Sequence, residues 1–511
     1  MTETGVANQN SEADKGHSGI AAVHELKRKS VRGGAATLFG QGAGMALQIS
    51  TTIILARLLS PTDYGLQGMV LSLTAFFNLF KDAGLSTASI QRENLTRDQI
   101  STLFWINIAL GVVLAILVAS LSPFLAAFYK EPRLRWLTVA SASIFLFDSL
   151  SVQHKALLDR ALRFSTSVRI DILATTIGSI IAIGMAAIGF GYWSLICQNI
   201  SLPIVGTVAT WIAMPWLPGR PRWNKELRSM VRFGGTVTLN SVVVYFAYNT
   251  EKILLGRFWG AASLGLYTRA YQLASLPVQQ LTGAVHRVAF STLSRLQGEA
   301  QRLQLAYLKS QSIIVSLTIP VVICSALFSR EIVIVVLGQK WIEAAPVFRL
   351  LTPTVLVFAL VNPFAWLLQA TGRVERSLKI ALLICPVVIL GILVGIHSGP
   401  TGVAMGYSGA MVLLFVPIVV WATRGTGITP AAYWDSIKRP LIAGALAGGA
   451  AWLVRLFFQN ALAPIWLLAI ELAIMSSVYV GLLIFVMGLK DFYLDLVKQI
   501  VQRKVASSVE G

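Results

Sequence analysis

Apolar residues in this chain come in long runs instead of alternating with polar ones. Bounded by charges or by Pro and Gly, the runs cover residues 34–56, 64–88, 103–128, 135–157, 169–189, 192–213, 231–255, 265–290, 308–329, 346–370, 378–396, 402–422, 440–458 and 464–488. Each is close to the roughly 20 residues that a helix needs to cross a hydrocarbon core. Backbone in lipid must satisfy its own hydrogen bonds, so the runs predict helices. The expected fold is all-α: a polytopic integral membrane protein with about 14 transmembrane helices, the number of runs in the sequence. The runs 64–88 and 265–290 are interrupted by Lys81, Asp82, Arg269 and Arg287.

Composition agrees with that pattern. The 511 residues are 55% hydrophobic and 13% charged, with mean hydropathy +0.69; soluble domains carry about 25% charged residues. Cys197, Cys324 and Cys385 all lie inside apolar runs, which suggests packing and neither a disulfide framework nor a metal cluster. A net charge of +19 raises the question of nucleic acid, but the basic residues are spread between spans and form no basic domain, so no nucleic-acid partner is expected. Residues 1–32 are polar and read as a disordered tail. The first apolar run is too long for a signal-peptide core and is expected to remain as a span.

An even number of spans puts both termini on one side. The tails and the loops near 92–101, 155–169, 214–232, 287–309, 371–379 and 424–439 hold 30 of the 42 Lys and Arg residues. The intervening loops near 189–191, 397–401 and 459–464 hold none. By the positive-inside rule the N- and C-termini are expected to be cytoplasmic.

The interior loop from Pro215 to Ser229 divides six runs from eight. Across it the sequence repeats: Arg32, Gly34, Leu55, Arg57, Gly65 and Leu66 recur 200 positions later as Arg232, Gly234, Leu255, Arg257, Gly265 and Leu266. An internal duplication with six spans between equivalent positions is a parallel repeat, whose pathway is expected between the lobes. The expected organisation is a tail at 1–32, an N-terminal lobe at 33–213, a basic linker at 214–230, a C-terminal lobe at 231–423, two further helices in 424–488 and a tail at 489–511.

Candidate chemistry is confined to charges in or beside spans. There is no P-loop, HExxH, CxxC pair or GxSxG elbow, so nothing indicates an ATP-driven pump or a hydrolase. A charge at a span centre costs roughly 2.5–3.5 kcal/mol on insertion scales and should face a partner or a wet cavity. Arg57, Lys81, Lys252, Arg257 and Arg269 are candidates for a basic cavity that would hold a diphosphate. Asp82 and Glu251 are candidates for ion or proton coupling. The structural alternative has Arg57 and Arg257 snorkelling to the interface and the acids forming salt bridges. Residues adjacent in sequence point about 100° apart on a helix, so Lys81 and Asp82, like Glu251 and Lys252, should find partners on other helices. Arg455 and Glu471 could pair with each other. His154 at a span edge, and Trp136, Trp193, Trp259 and Trp341 at span ends, read as interfacial.

Three stretches carry a family resemblance: Ile54-Leu-Ala-Arg-Leu-Leu-Ser-Pro-Thr-Asp-Tyr-Gly, Phe80-Lys-Asp-Ala-Gly-Leu-Ser-Thr-Ala-Ser-Ile-Gln-Arg-Glu, and Asn249-Thr-Glu-Lys-Ile-Leu-Leu-Gly-Arg-Phe-Trp-Gly with Leu264-Gly-Leu-Tyr-Thr-Arg-Ala-Tyr-Gln-Leu. The chain resembles, from Arg32 to its last span, the Wzx-type flippases of the multidrug/oligosaccharidyl-lipid/polysaccharide exporter superfamily. Where that family often has Asn-x-Asp, this chain has Asn249-Thr-Glu251, which keeps the carboxylate. The resemblance implies a secondary transporter, not an enzyme, with no cofactor and with proton or sodium coupling. It implies an undecaprenyl-diphosphate-linked oligosaccharide as substrate, for exopolysaccharide or lipopolysaccharide assembly. It also implies functional links to glycosyltransferases, a polymerase and a chain-length regulator.

Two rival readings are a membrane polysaccharide polymerase or ligase and a drug or cation antiporter of the same superfamily. The first calls for a long external loop with catalytic groups, whereas the longest outside loop, Ser329 to Ala345, is short. The second favours acidic and aromatic linings over the basic residues named above.

Overall fold

The computed structural model describes residues 42–81, 96–161, 163–221, 225–458 and 461–488. The expected tails, Asp82, and the segments around 82–95 and 222–224 lie outside them. Among the described residues every regular element is helical. Nine helical stretches there are long and apolar enough to cross a membrane. Their outward faces carry large apolar side chains such as Phe124, Ile180, Ile212, Leu413, Phe457 and Phe485, which are mostly exposed. Asn107, Gln153, Gln311, Thr354 and Ser408 are buried inside. That inversion of the usual soluble pattern suits an apolar solvent.

The described residues group into two compact units, one made of residues up to Leu59 with Val70–Val243, the other of Ser60–Met69 with the residues from Val244 onward. In the first, the helix Arg97–Ser120 packs on Leu134–Arg160, and Phe164–Ala187 packs on Tyr192–Ala213. Phe77, Leu114, Ala115, Val118, Ala142 and Phe145 form a core cluster there. Residues 214–221 of the expected linker lie along this unit: Trp105 Nε1 donates to the Gly219 carbonyl at 2.9 Å, and Gly219 N–H donates to Ser101 Oγ at 2.9 Å. His154 is a core residue and not an interfacial one. It is wholly buried, stacks on Trp211 at 4.4 Å, and sits 3.0 Å from the Trp216 carbonyl.

In the second unit, Ala300–Leu327, Ala344–Ala370 and Pro430–Phe458 form a packed group, and Val374–Gly395 pairs with Gly399–Thr423. The last pair meets through glycine. A Cβ on Gly395 would lie 2.1 Å from the Gly402 carbonyl oxygen, and one on Gly406 would lie 2.0 Å from that of Gly391. Small residues at such crossings let backbones approach where lipid offers no hydrophobic drive for helix association. The loop from Ser329 to Ala345 is itself folded, into the short helix Ser329–Val336 and the turn Gln339–Trp341. Trp341 is fully buried and meets Tyr64 edge-on at 5.3 Å, so it is core and no interfacial anchor.

Helix limits depart from the apolar runs for local reasons. The helix Arg97–Ser120 starts before the run at 103, because Thr96 and Gln99 form a reciprocal capping box that extends it into polar sequence. The run 103–128 is split by a second start at Ser122-Pro123. The helix Pro61–Asn78 ends well before residue 88, in turns where Leu79, Phe80 and Lys81 donate to carbonyls three residues back.

Candidate functional site

The stretch Lys225–Arg295 is two helical arms joined at Gly260, where φ is 79° and ψ is −175°. That backbone region is open to glycine and essentially closed to other residues. Past this break the second arm folds back beside the first. Lys252 Nζ therefore lies over the Tyr271 ring at 5.7 Å, and Glu251 lies within electrostatic range of the Tyr267 phenol.

On the first arm, Tyr245 and Asn249 line up one turn apart with Lys252 three residues on. Lys252 Nζ donates to Asn249 Oδ1 at 3.0 Å, and Asn249 Nδ2 donates to the Tyr245 carbonyl at 3.0 Å. Glu251 is 1% exposed. Its Oε1 is 3.8 Å from Lys252 Nζ, too long for a hydrogen bond, and its Oε2 has no hydrogen-bond partner among the described residues. The Tyr267 hydroxyl, buried nearby, also lacks one. Burying an unsatisfied carboxylate and a phenol side by side is costly, and such groups mark functional positions more often than packing ones.

Arg269 belongs to a different face. It lies two residues from both Tyr267 and Tyr271, about 200° round the helix, and so turns away from Glu251. It meets the start of the helix Pro61–Asn78 instead: the guanidinium lies over the Tyr64 ring at 3.9 Å, donates to Gln67 Oε1 at 3.4 Å, and donates to Gln272 Oε1. Arg269 Nε has no partner. The helix start that carries Tyr64 is fixed locally. Ser60 N–H and Oγ both donate to Asp63 Oδ2, at 2.9 and 2.6 Å, and Pro61 occupies the first turn.

The two segments cross through repeat-related glycines. A Cβ on Gly65 would fall 1.7 Å from the Ala261 carbonyl oxygen, and one on Gly265 would fall 1.8 Å from that of Pro61. The 200-residue offset maps one contact onto the other, Gly65 to Gly265 and Ala261 to Pro61, so the crossing is reciprocal. Only residues without a Cβ allow backbones this close.

The structure thus separates the candidate cations. Lys252 and Arg269 lie on opposite faces of one hairpin. Arg257, half-buried beside the Phe258 ring at 5.9 Å, sits just before the Gly260 break. Arg57 is exposed at the end of the helix Gly42–Leu58. Lys81 lies beyond the far end of the next helix and forms an ion pair with Asp148, Nζ to Oδ2 at 2.8 Å. Arg455 pairs with Glu331 at 2.8 Å, not with Glu471. Tyr64, Gln67, Tyr267, Tyr271 and Gln272 were not singled out from sequence. The i, i+4 spacing of Tyr267 and Tyr271 was the available signal, since it puts two phenols on one helix face.

Helices of this length with polar groups in their interior define a multi-pass helical membrane fold. The solved structure of the lipid II flippase MurJ, in an inward closed conformation, superposes with TM-score 0.71 at 15% identity, over 90% of this chain and 99% of that one. The sequence matches the family described as polysaccharide biosynthesis protein over residues 54–346, and the chain belongs to that family. It is 28% identical to the teichuronic acid biosynthesis protein TuaB of Bacillus subtilis (strain 168), over 65% of this chain and 69% of that protein. It is 26% identical to the lipopolysaccharide biosynthesis protein WzxC of Escherichia coli (strain K12), over 75% and 78%. The Wzx-type resemblance read from residues 54–65 and 249–273 falls inside the matched region. The chain is a multi-pass membrane transporter.

Proposed function

We propose that this protein is a flippase that moves an undecaprenyl-diphosphate-linked oligosaccharide across the bacterial inner membrane by alternating access, with both termini in the cytoplasm. We infer the same fourteen-span organisation that the apolar runs predict, in two six-helix lobes and two terminal helices. Membership of a polysaccharide biosynthesis family and the MurJ-like fold support the transporter class. The observation that carries the substrate reading is the Lys252 ammonium, held by Asn249 and Tyr271 inside a spanning hairpin beside the buried Glu251.

A polyprenyl tail can remain in lipid while its diphosphate and sugars cross a hydrated path. The ammonium offsets part of the cost of taking a diphosphate out of water, and its single point charge keeps the hold moderate, so release is not slow. Glu251, unpaired on one oxygen, is the coupling residue in this reading and exchanges a proton or a sodium ion. Glycosyltransferases would supply the substrate, and a polymerase with its chain-length regulator would consume it.

The test is the sidedness of lipid-linked oligosaccharide in vesicles from cells depleted of this protein, scored by access of an external lectin or glycosidase. Accumulation on the cytoplasmic face supports the flippase. Normal arrival of unpolymerised units at the periplasmic face moves the block downstream, to a polymerase or ligase. Unchanged polysaccharide with increased sensitivity to cationic drugs would point to an antiporter.

A further inference from the structure

The described residues hold a second buried charge cluster, remote in sequence from the Glu251 hairpin. Arg455, near the end of the helix Pro430–Phe458, donates to Glu331 Oε1 at 2.8 Å and to the Leu327 carbonyl at 2.7 Å. Glu331, on the short helix Ser329–Val336, is 6% exposed. Glu471, in the middle of the helix Pro464–Gly481, is 0% exposed and lies in the fields of both Glu331 and Arg455. Among the described residues neither oxygen of Glu471 has a hydrogen-bond partner, and neither does Glu331 Oε2.

The helices packed against Pro464–Gly481 are Ala300–Leu327, Ser329–Val336 and Pro430–Phe458. The titratable or charged groups they bring to Glu471 are Cys324, Glu331 and Arg455. One guanidinium, which stays protonated in proteins, therefore faces two carboxyl groups. It is already engaged by Glu331. Were both acids ionised, a net negative charge would sit in a closed apolar interior with nothing to offset it, at a desolvation cost of several kcal/mol. The excess has to be removed by a bound cation. A metal ion is a poor fit, because hard cations take six or more oxygens and no metal-holding group of His, Cys, Asp and Glu occurs among the described residues. A proton needs only one oxygen.

We propose that Glu471 is a proton-binding site: it carries a proton taken from the aqueous phase while Glu331 is paired with Arg455, and this keeps the core under the last two helices neutral. Release of that proton sets Glu471 in competition with Glu331 for Arg455. Proton occupancy is thereby linked to the seating of the helix Pro464–Gly481, whether or not the chain moves lipid.

Infrared difference spectroscopy on the full-length protein in nanodiscs at neutral pH tests this. Wild type minus Glu471→Gln should contain the carbonyl stretch of a protonated carboxyl group, and exchanging sodium for potassium should leave that band unchanged. Glu331→Gln, which frees Arg455 to pair with Glu471, should remove most of the same band and keeps the test available if Glu471→Gln fails to fold. A difference spectrum without the band, a band that follows sodium, or a band at full strength in Glu331→Gln overturns the proposal.

Discussion

Positions 51 and 251 are equivalent under the 200-residue offset, and they are built in opposite ways. Thr51 is buried and satisfied: its hydroxyl donates to Ser179 Oγ and to the Leu47 carbonyl, each at 2.8 Å. Glu251 is equally buried and has an oxygen without a partner. The next position is Thr52 in one half and Lys252 in the other, and position 69 is Met where 269 is Arg. Conversely, Gly65 and Gly265 are the same residue in the same role. The halves agree where backbones touch and diverge where charge is buried. Geometry is thus kept by the repeat, while Glu251, Lys252 and Arg269 have no charged counterpart at positions 51, 52 and 69.

The largest expected effect attacks the shared feature. Gly65→Ala or Gly265→Ala drives a methyl group into a carbonyl oxygen of the crossing segment, and overpacking of this kind costs about 3 kcal/mol. Gly409→Ala, at a helical glycine with open space around it, should instead be neutral or stabilise by up to about 1 kcal/mol. Thermal unfolding of the solubilised protein separates the cases. Equal stability for Gly65→Ala and Gly409→Ala would mean the halves do not meet at these glycines.

The second effect tests the divergence. Glu251→Gln keeps shape and removes charge, so protein abundance should stay near normal while polysaccharide export falls about tenfold, a change worth about 1.4 kcal/mol. Thr51→Val at the equivalent position should do the reverse, costing about 1 kcal/mol of stability through its lost hydrogen bond and leaving export intact. Export at the wild-type rate in Glu251→Gln sinks the functional reading of that carboxylate.

Much of this was legible in the sequence, and the reason is solvent. Lipid forces helices of fixed length, so apolar runs reveal spans, and the sparse charges reveal where something other than packing happens. What the sequence did not give was partners. Lys81 could be identified as costly, but its match with Asp148 spans 67 residues and depends on how two helices pack. Arg455 was read beside Glu471 because they lie on consecutive helices, yet Glu331 reaches it from the loop Ser329 to Ala345. His154 and Trp341 were read as interfacial because they border apolar runs, but Trp216 of the linker packs on His154 and Tyr64 of the helix Pro61–Asn78 packs on Trp341. Hydropathy ranks depth along a helix and carries no information on which face meets another element.

A further effect of similar size, on stability, concerns Lys81, a cation that has Leu281 at its repeat-related position. Its pair with Asp148 is partly buried, with side-chain exposures of 28% and 19%. Lys81→Gln leaves that carboxylate without its countercharge, and the loss should be about 1–2 kcal/mol, between the values for exposed and fully buried pairs. If the pair is structural, Lys81→Met with Asp148→Leu should recover most of that stability, since an apolar couple of similar volume replaces both charges, and export per folded molecule should return with it. Recovery of stability without export would assign Lys81 to the substrate path despite its partner. The basic path would then extend into the first half, and the asymmetry between positions 51 and 251 would be local to that pair.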